Sequence, residues 1–138
     1  MTVVRDPFKQ ATSLYKFGLQ RNYDSLARRC SDFDSFIGAI VERPSTISSF
    51  SWLPSSCKDA SPKQVVDSTW AIGVTDDLQS FMNGVTERLS HPPVTVNQHN
   101  RSYGAPTLRS VSLRMEFDRV FERERELYEL AHGFGVKV

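Results

Sequence analysis

Apolar residues along this chain recur at three- and four-residue intervals, the spacing that predicts helices. The first such run opens on Asp6 as N-cap and Pro7 at the first helical position, then places Phe8, Ala11, Leu14 and Tyr15 on one face, which predicts a helix over 6–19. A second run carries Tyr23, Leu26, Ala27, Cys30, Phe33, Ile37 and Ile40 and stops at Pro44, predicting a helix over 22–43. The stretch after Pro44 is rich in Ser and Pro but holds Phe50, Trp52 and Leu53, so it is expected to be a loop with short extended pieces whose aromatics dock on the helices. A third helix over 63–89 is expected to bury Val66, Trp70, Val74, Leu78, Phe81, Met82 and Val85, with Gly73 and Gly84 permitting close packing. Residues 90–106 show no helical period, contain Pro92 and Pro93, and form a connection long enough to suggest function. A fourth helix over 107–131 carries Leu113, Phe117, Val120, Phe121, Leu127, Tyr128 and Ala131, with Gly133 and Gly135 as stop signals.

Four such helices define the expected fold class: all-α, an antiparallel four-helix bundle occupying 1–138 as one domain, with a long loop between helices three and four and little or no sheet. One feature resists that frame. The stripe of the fourth helix is interrupted at Glu124, within a run Glu122, Arg123, Glu124, Arg125, Glu126 whose alternating charges point in several directions. In a bundle alone a buried Glu124 is costly without a partner. Charges of both signs suit a contact with further copies of the chain, and Arg123 is the one expected nearest RNA or a lateral contact.

With 138 residues, 39% hydrophobic and 24% charged, the composition is that of a globular chain, and a net charge of +1 offers no global basic field, so any anion site must be local. Cys30 and Cys57 are far apart with no CxxC spacing, which fits a reducing compartment. The opening residues contain no apolar run of signal-peptide length, and no window approaches a membrane span. No phosphate loop, dinucleotide fingerprint, HExxH, GxSxG or cysteine-metal spacing occurs. His91 and His99 read as solvated loop residues, Cys57 as an ordinary thiol, and Asp76 and Asp77 as polar positions within the third helix. The chain is therefore expected not to be an enzyme and to use no cofactor, metal, membrane or small-molecule substrate.

Basic residues are more informative by position. Arg88 ends the third predicted helix, while Arg101, Arg109 and Arg114 lie in or just after the long loop, and in an antiparallel pair these would meet and could hold phosphates. Several short patterns share this layout with a known family. "RDPFKQ", "NYDSLARR", "VTDDLQSFMNGVTER", "LRMEFDRVFER" and "YELAHG" occur in an order and spacing that resemble the coat proteins of rod-shaped plant RNA viruses, the tobamovirus-like (virgavirus-type) group. In the third pattern Asp76, Leu78, Gly84, Glu87 and Arg88 take the family's places; in the fourth, Arg114, Glu116, Asp118 and Arg123 do.

The resemblance, which spans roughly residues 6–133, implies a four-helix subunit with its long loop at the inner, RNA-facing radius of a helical rod. It implies that Arg28, Arg88 and Arg114 contact phosphates of single-stranded RNA, that Asp118 and Glu116 line the same groove, and that Asp76 lies at a subunit boundary, where the mixed charges Glu122, Glu124, Arg125 and Glu126 also belong. The expected partners are further copies of the chain and RNA, in the virion and, during assembly, the host cytoplasm. Two departures stand out: residues 90–106 contain no Asp or Glu where the family carries acids of an assembly switch, and Phe50 stands where the family has an acid two residues before a Trp. The competing expectation is a soluble helical-bundle interaction or RNA-binding regulator, viral or cellular, that does not polymerise.

Overall fold

The computed structural model describes residues 1–21, 24–97 and 104–133, and these are mostly helical. Helix α1 (Pro7–Gln20) begins as the sequence predicts, with the Asp6 carboxylate accepting the Lys9 backbone N–H at 2.8 Å. The second predicted helix is two: α2 (Leu26–Arg29) and α3 (Phe33–Glu42). They are separated where Cys30 turns extended and Asp32 caps the new helix by accepting the Ser35 N–H at 2.8 Å. A short polar side chain that can bond a nearby N–H offers the backbone an alternative to continuing the helix, and Asp32 takes it. Tyr23, placed on that helix by its spacing, lies outside the described residues.

The third predicted helix is also divided. Helix α4 (Pro62–Ser68) starts in a capping box, Ser61 and Gln64 each satisfying the other's backbone N–H. It ends where the Ser68 and Thr69 hydroxyls both donate back to the Val65 carbonyl. Strand β2 (Ile72–Val74) follows, then a 3-10 turn over Thr75–Asp77 and helix α5 (Leu78–Arg88). Asp76 and Asp77 therefore sit in the turn rather than inside a helix. The β-favouring run around Trp70, Ile72 and Val74 finds a partner that helical spacing could not announce. Strand β1 (Thr2–Val4) pairs with β2 in parallel, in the register Thr2 to Ile72 and Val4 to Val74. Gly73 is required there: a Cβ would stand 2.4 Å from the Phe81 ring, so α5 closes on β2 only over bare backbone.

The expected fourth helix is nearly continuous. Helix α6 (Val111–Val120) and helix α7 (Glu122–Gly133) meet at a bend on Phe121, across which the Arg125 N–H still reaches the Phe121 carbonyl at 3.0 Å. Residues 107–110 lie outside the helix and are anchored, because the Asp34 carboxylate accepts the backbone N–H groups of Arg109 (3.0 Å) and Ser110 (2.9 Å). Gly135, read as a stop signal, lies outside the described residues.

Three apolar clusters result. The largest joins α1, α3 and the α6–α7 bend through Ala11, Phe33, Phe36, Ile37, Ile40, Phe117 and Phe121; each fully buried Phe contributes on the order of 2–3 kcal/mol. A second packs α4 and the sheet on α7 through Val65, Val66, Ile72, Val74, Leu127 and Ala131. The third is Ala71, Phe81 and Val85 under α5. Trp70, expected in the core, is 42% exposed; it precedes β2, and Ala71 and Ile72 are buried in its stead. The Ser-rich segment forms 3-10 turns at Pro44–Thr46, Ser49–Ser51 and Ser55–Cys57 rather than extended pieces. Of its aromatics, Phe50 is buried and Trp52 is 75% exposed.

Candidate nucleic-acid interface

Arg28 stands on α2, whose first turn is capped by Ser25 and held against α1 by the close approach of Gly18 to Ala27. Its guanidinium donates to the Leu19 carbonyl at 3.2 Å, satisfying an orphan acceptor at the α1 C-terminus while the side chain stays exposed. Arg88 is in the last turn of α5, exposed, with its guanidinium carbon 5.2 Å from the centroid of the exposed Trp70 ring. Arg114, on α6, lies 3.8 Å over the Phe8 ring, and its Nε is 3.2 Å from both Asp118 carboxylate oxygens. Glu116 is exposed on the same helix.

These arginines belong to different parts of the fold. Helix α5 packs mainly on β2 and the 75–77 turn, whereas α6 packs mainly on α3 and α7, so the expected pairing of the third and fourth helix ends is not the main contact among the described residues. Arg109 is exposed beside α3 through its backbone bond to Asp34. Arg101 and His99 lie outside the described residues. The 90–97 stretch returns to α5: Gln79 donates to the Val94 carbonyl at 2.9 Å and accepts the Val96 N–H at 2.8 Å, as a neighbouring strand would.

The alternating charges at the α6–α7 bend resolve in an unexpected direction. Arg123 donates to the carbonyls of Lys58 (2.6 Å) and Ala60, with its guanidinium carbon 3.5 Å from the centroid of the Phe50 ring. Glu124 is buried and accepts a hydrogen bond from the Ser48 hydroxyl. The chain itself thus supplies the partners that the sequence pattern leads one to seek in RNA or in a neighbouring copy, and both residues clasp the 44–61 segment to α7. Arg125 pairs with Glu129 one turn on (3.8 Å), and Glu122 and Glu126 are exposed.

Asp76, expected at a subunit boundary, has two partners within the chain. The Tyr128 hydroxyl donates to it, and Lys9 Nζ lies 3.0 Å from the same oxygen. The Tyr128 bond, aided by Lys9, holds the Asp76 carboxyl below the usual carboxylate range, and the same hydrogen bond, with burial and then the Asp76 charge, pushes the Tyr128 phenol up to about 12. This junction ties α1, the 75–77 turn and α7 together. Sequence reading missed it because its members are 67 and 52 residues apart.

Among the described residues no group of three or more His, Cys, Asp or Glu side chains is arranged to hold a metal ion, and no helix is long and apolar enough to cross a membrane. No protein-family model, no curated protein and no solved structure matches the chain.

Proposed function

We propose that the chain is the structural subunit of a helical rod that coats single-stranded RNA, its protein partner being further copies of itself. In this reading α1, α2 with α3, α4 with α5, and α6 with α7 take the places of the four helices of an antiparallel bundle, and residues 90–106 face the RNA. The observation that carries it is the pairing of Arg88 with Trp70 on open surface. A cation beside an exposed aromatic face is the combination that holds a single strand by phosphate attraction and base stacking without reading its sequence. Arg28 and Arg114 supply further phosphate contacts, with Glu116 and Asp118 bordering the Arg114 position.

Contact between copies uses the outer side of α6, where Val111 and Met115 stand one turn apart, 74% and 68% exposed, on the side opposite the buried Phe117. Glu122, Arg125 and Glu126 form a charged rim for such a contact. Arg123, Glu124 and Asp76 are satisfied within the subunit and are left out of it. An open rod needs one side of the subunit to meet a different side of the next, which a mixed apolar and two-signed surface allows.

Negative-stain microscopy and sedimentation of the purified chain with and without single-stranded RNA test the reading. Rods or stacked discs are expected, with RNA content falling in the Arg88→Ala, Arg114→Ala double variant. A chain that stays monomeric under all salt and pH conditions while still binding RNA would replace it with a non-polymerising RNA-binding regulator.

A further inference from the structure

Four arginine guanidinium groups lie over aromatic rings among the described residues, and they differ in what else holds them. Arg123 donates to the Lys58 and Ala60 carbonyls, and Arg114 is paired with Asp118. Arg88 over Trp70 and Arg21 over Phe17 have no carboxylate partner among the described residues. The two rings are exposed to a similar degree, Trp70 at 42% and Phe17 at 37%. The Arg21 pair therefore offers the same chemistry as the Arg88 pair from a different part of the fold, the corner between α1 and α2.

That corner is built to hold cations. Arg21 closes α1, its backbone N–H bonding the Phe17 carbonyl at 3.2 Å, and its guanidinium carbon stands 4.5 Å from the centroid of the Phe17 ring. Arg28 reaches back from α2 to the Leu19 carbonyl, so two guanidinium groups gather at the α1 C-terminus, where the helix dipole favours positive charge. Gly18 keeps the two helices close, since a Cβ there would stand 2.8 Å from that of Ala27. The Ser25 hydroxyl locks the turn by donating to the Gly18 carbonyl at 3.0 Å and accepting the Arg28 N–H at 3.3 Å. Asp24, the one carboxylate in residues 17–29, pairs with Arg29 at 3.5 Å. Arg21 and Arg28 thus keep their charges, because the Leu19 carbonyl is neutral and takes only one of the Arg28 donors.

A guanidinium seated on a ring is fixed in direction before any ligand arrives, and its outer face is a platform on which a nucleic-acid base stacks. We propose that Arg21, seated on Phe17, and Arg28 form a second contact for single-stranded RNA, in which one base stacks on the Arg21 guanidinium and the adjoining phosphate bonds Arg28. The inference rests on the RNA-coating reading for the identity of the ligand and adds to it a stacking group independent of Trp70. A base held by its face is accepted whatever its edge, so the site reads no sequence.

The test measures fluorescence anisotropy of two labelled oligomers of equal length and charge, an oligoadenylate and an abasic ribose-phosphate chain, with the full protein chain at several salt concentrations. It compares the wild type with Arg21→Lys, which keeps the charge and loses the planar face, and with Arg28→Gln. Arg21→Lys is expected to bind the oligoadenylate roughly fivefold more weakly, the lower end of what one stacked base contributes, and to bind the abasic chain as the wild type does. Arg28→Gln is expected to lower the slope of log affinity against log salt by about 0.7 toward both oligomers. Thermal melting checks that the corner is kept; Arg21 is exposed, so Arg21→Lys keeps the test readable if Arg28→Gln loosens α2. Unchanged binding of both oligomers by Arg21→Lys, with rods formed by the wild type, overturns the stacking site and leaves the RNA-coating reading standing. Equal weakening toward both oligomers also overturns it, since Arg21 then acts as a charge alone. Weakening confined to the oligoadenylate, with no rods formed by the wild type under any condition, upholds the site and replaces the coating reading with the non-polymerising RNA-binding regulator.

Discussion

Ser90 adopts φ 52°, the left-handed region that disfavours a side chain, because it follows α5 in a two-bond helix stop: its N–H reaches the Glu87 carbonyl at 3.0 Å and that of His91 reaches Thr86 at 2.8 Å. Glycine is the usual residue at this place, since it alone adopts the conformation without a Cβ penalty. Ser90→Gly is therefore expected to stabilise the chain by about 0.5–1 kcal/mol, after part of the gain is offset by the freer unfolded backbone. A raised urea midpoint with unchanged slope checks it, and a lowered midpoint would mean that the serine makes a contact worth more than the strain. The same scale shows where sequence reading succeeds. The Asp6 cap and the Pro7 start need only neighbours three residues apart, and both are found as the spacing predicts.

At the scale of elements, Arg123 and Glu124 change meaning. Read along the helix they are charges on an apolar stripe, awaiting RNA or another subunit; in the fold they hold the 44–61 segment, Arg123 through the Lys58 and Ala60 carbonyls and the Phe50 face, Glu124 through the Ser48 hydroxyl. Arg123→Ala removes two charge-assisted bonds and a cation–π contact, and is expected to cost about 2–3 kcal/mol. Limited proteolysis should then cut within residues 44–61 sooner than in the wild type. Equal cutting rates, together with reduced RNA content, would return Arg123 to the RNA side. The broken helices belong to this scale too. Asp32 starts a new helix, and Ser68 and Thr69 close one, each by bonding nearby backbone where the apolar spacing runs on past them.

Across the whole molecule the Lys9, Asp76 and Tyr128 junction couples stability to pH. The Asp76 carboxyl is depressed in the fold, so its contribution is present above the unfolded carboxylate range and is lost as pH falls through the lower folded value. The Tyr128 phenol is raised to about 12, so its contribution is complete below about pH 10 and is lost as pH climbs toward 12. Tyr128→Phe should accordingly lower the urea midpoint most between about pH 5 and 9, with the difference from wild type shrinking at pH 3 and again above pH 11. A difference constant over that range would show that Tyr128 acts by packing alone.

Helical class, the α1 start and the near-continuous last helix follow from the sequence alone, because each depends on residues within one or two turns of each other. The β1–β2 pairing joins positions 70 residues apart, and the clasp of the 44–61 segment joins Ser48 to Glu124 across 76. Contacts of that kind carry no local period, and the free energy they gain by burial and charge pairing outweighs the helical preference of residues 63–89. Only the tertiary structure could therefore expose Trp70 beside Arg88 and bury Glu124.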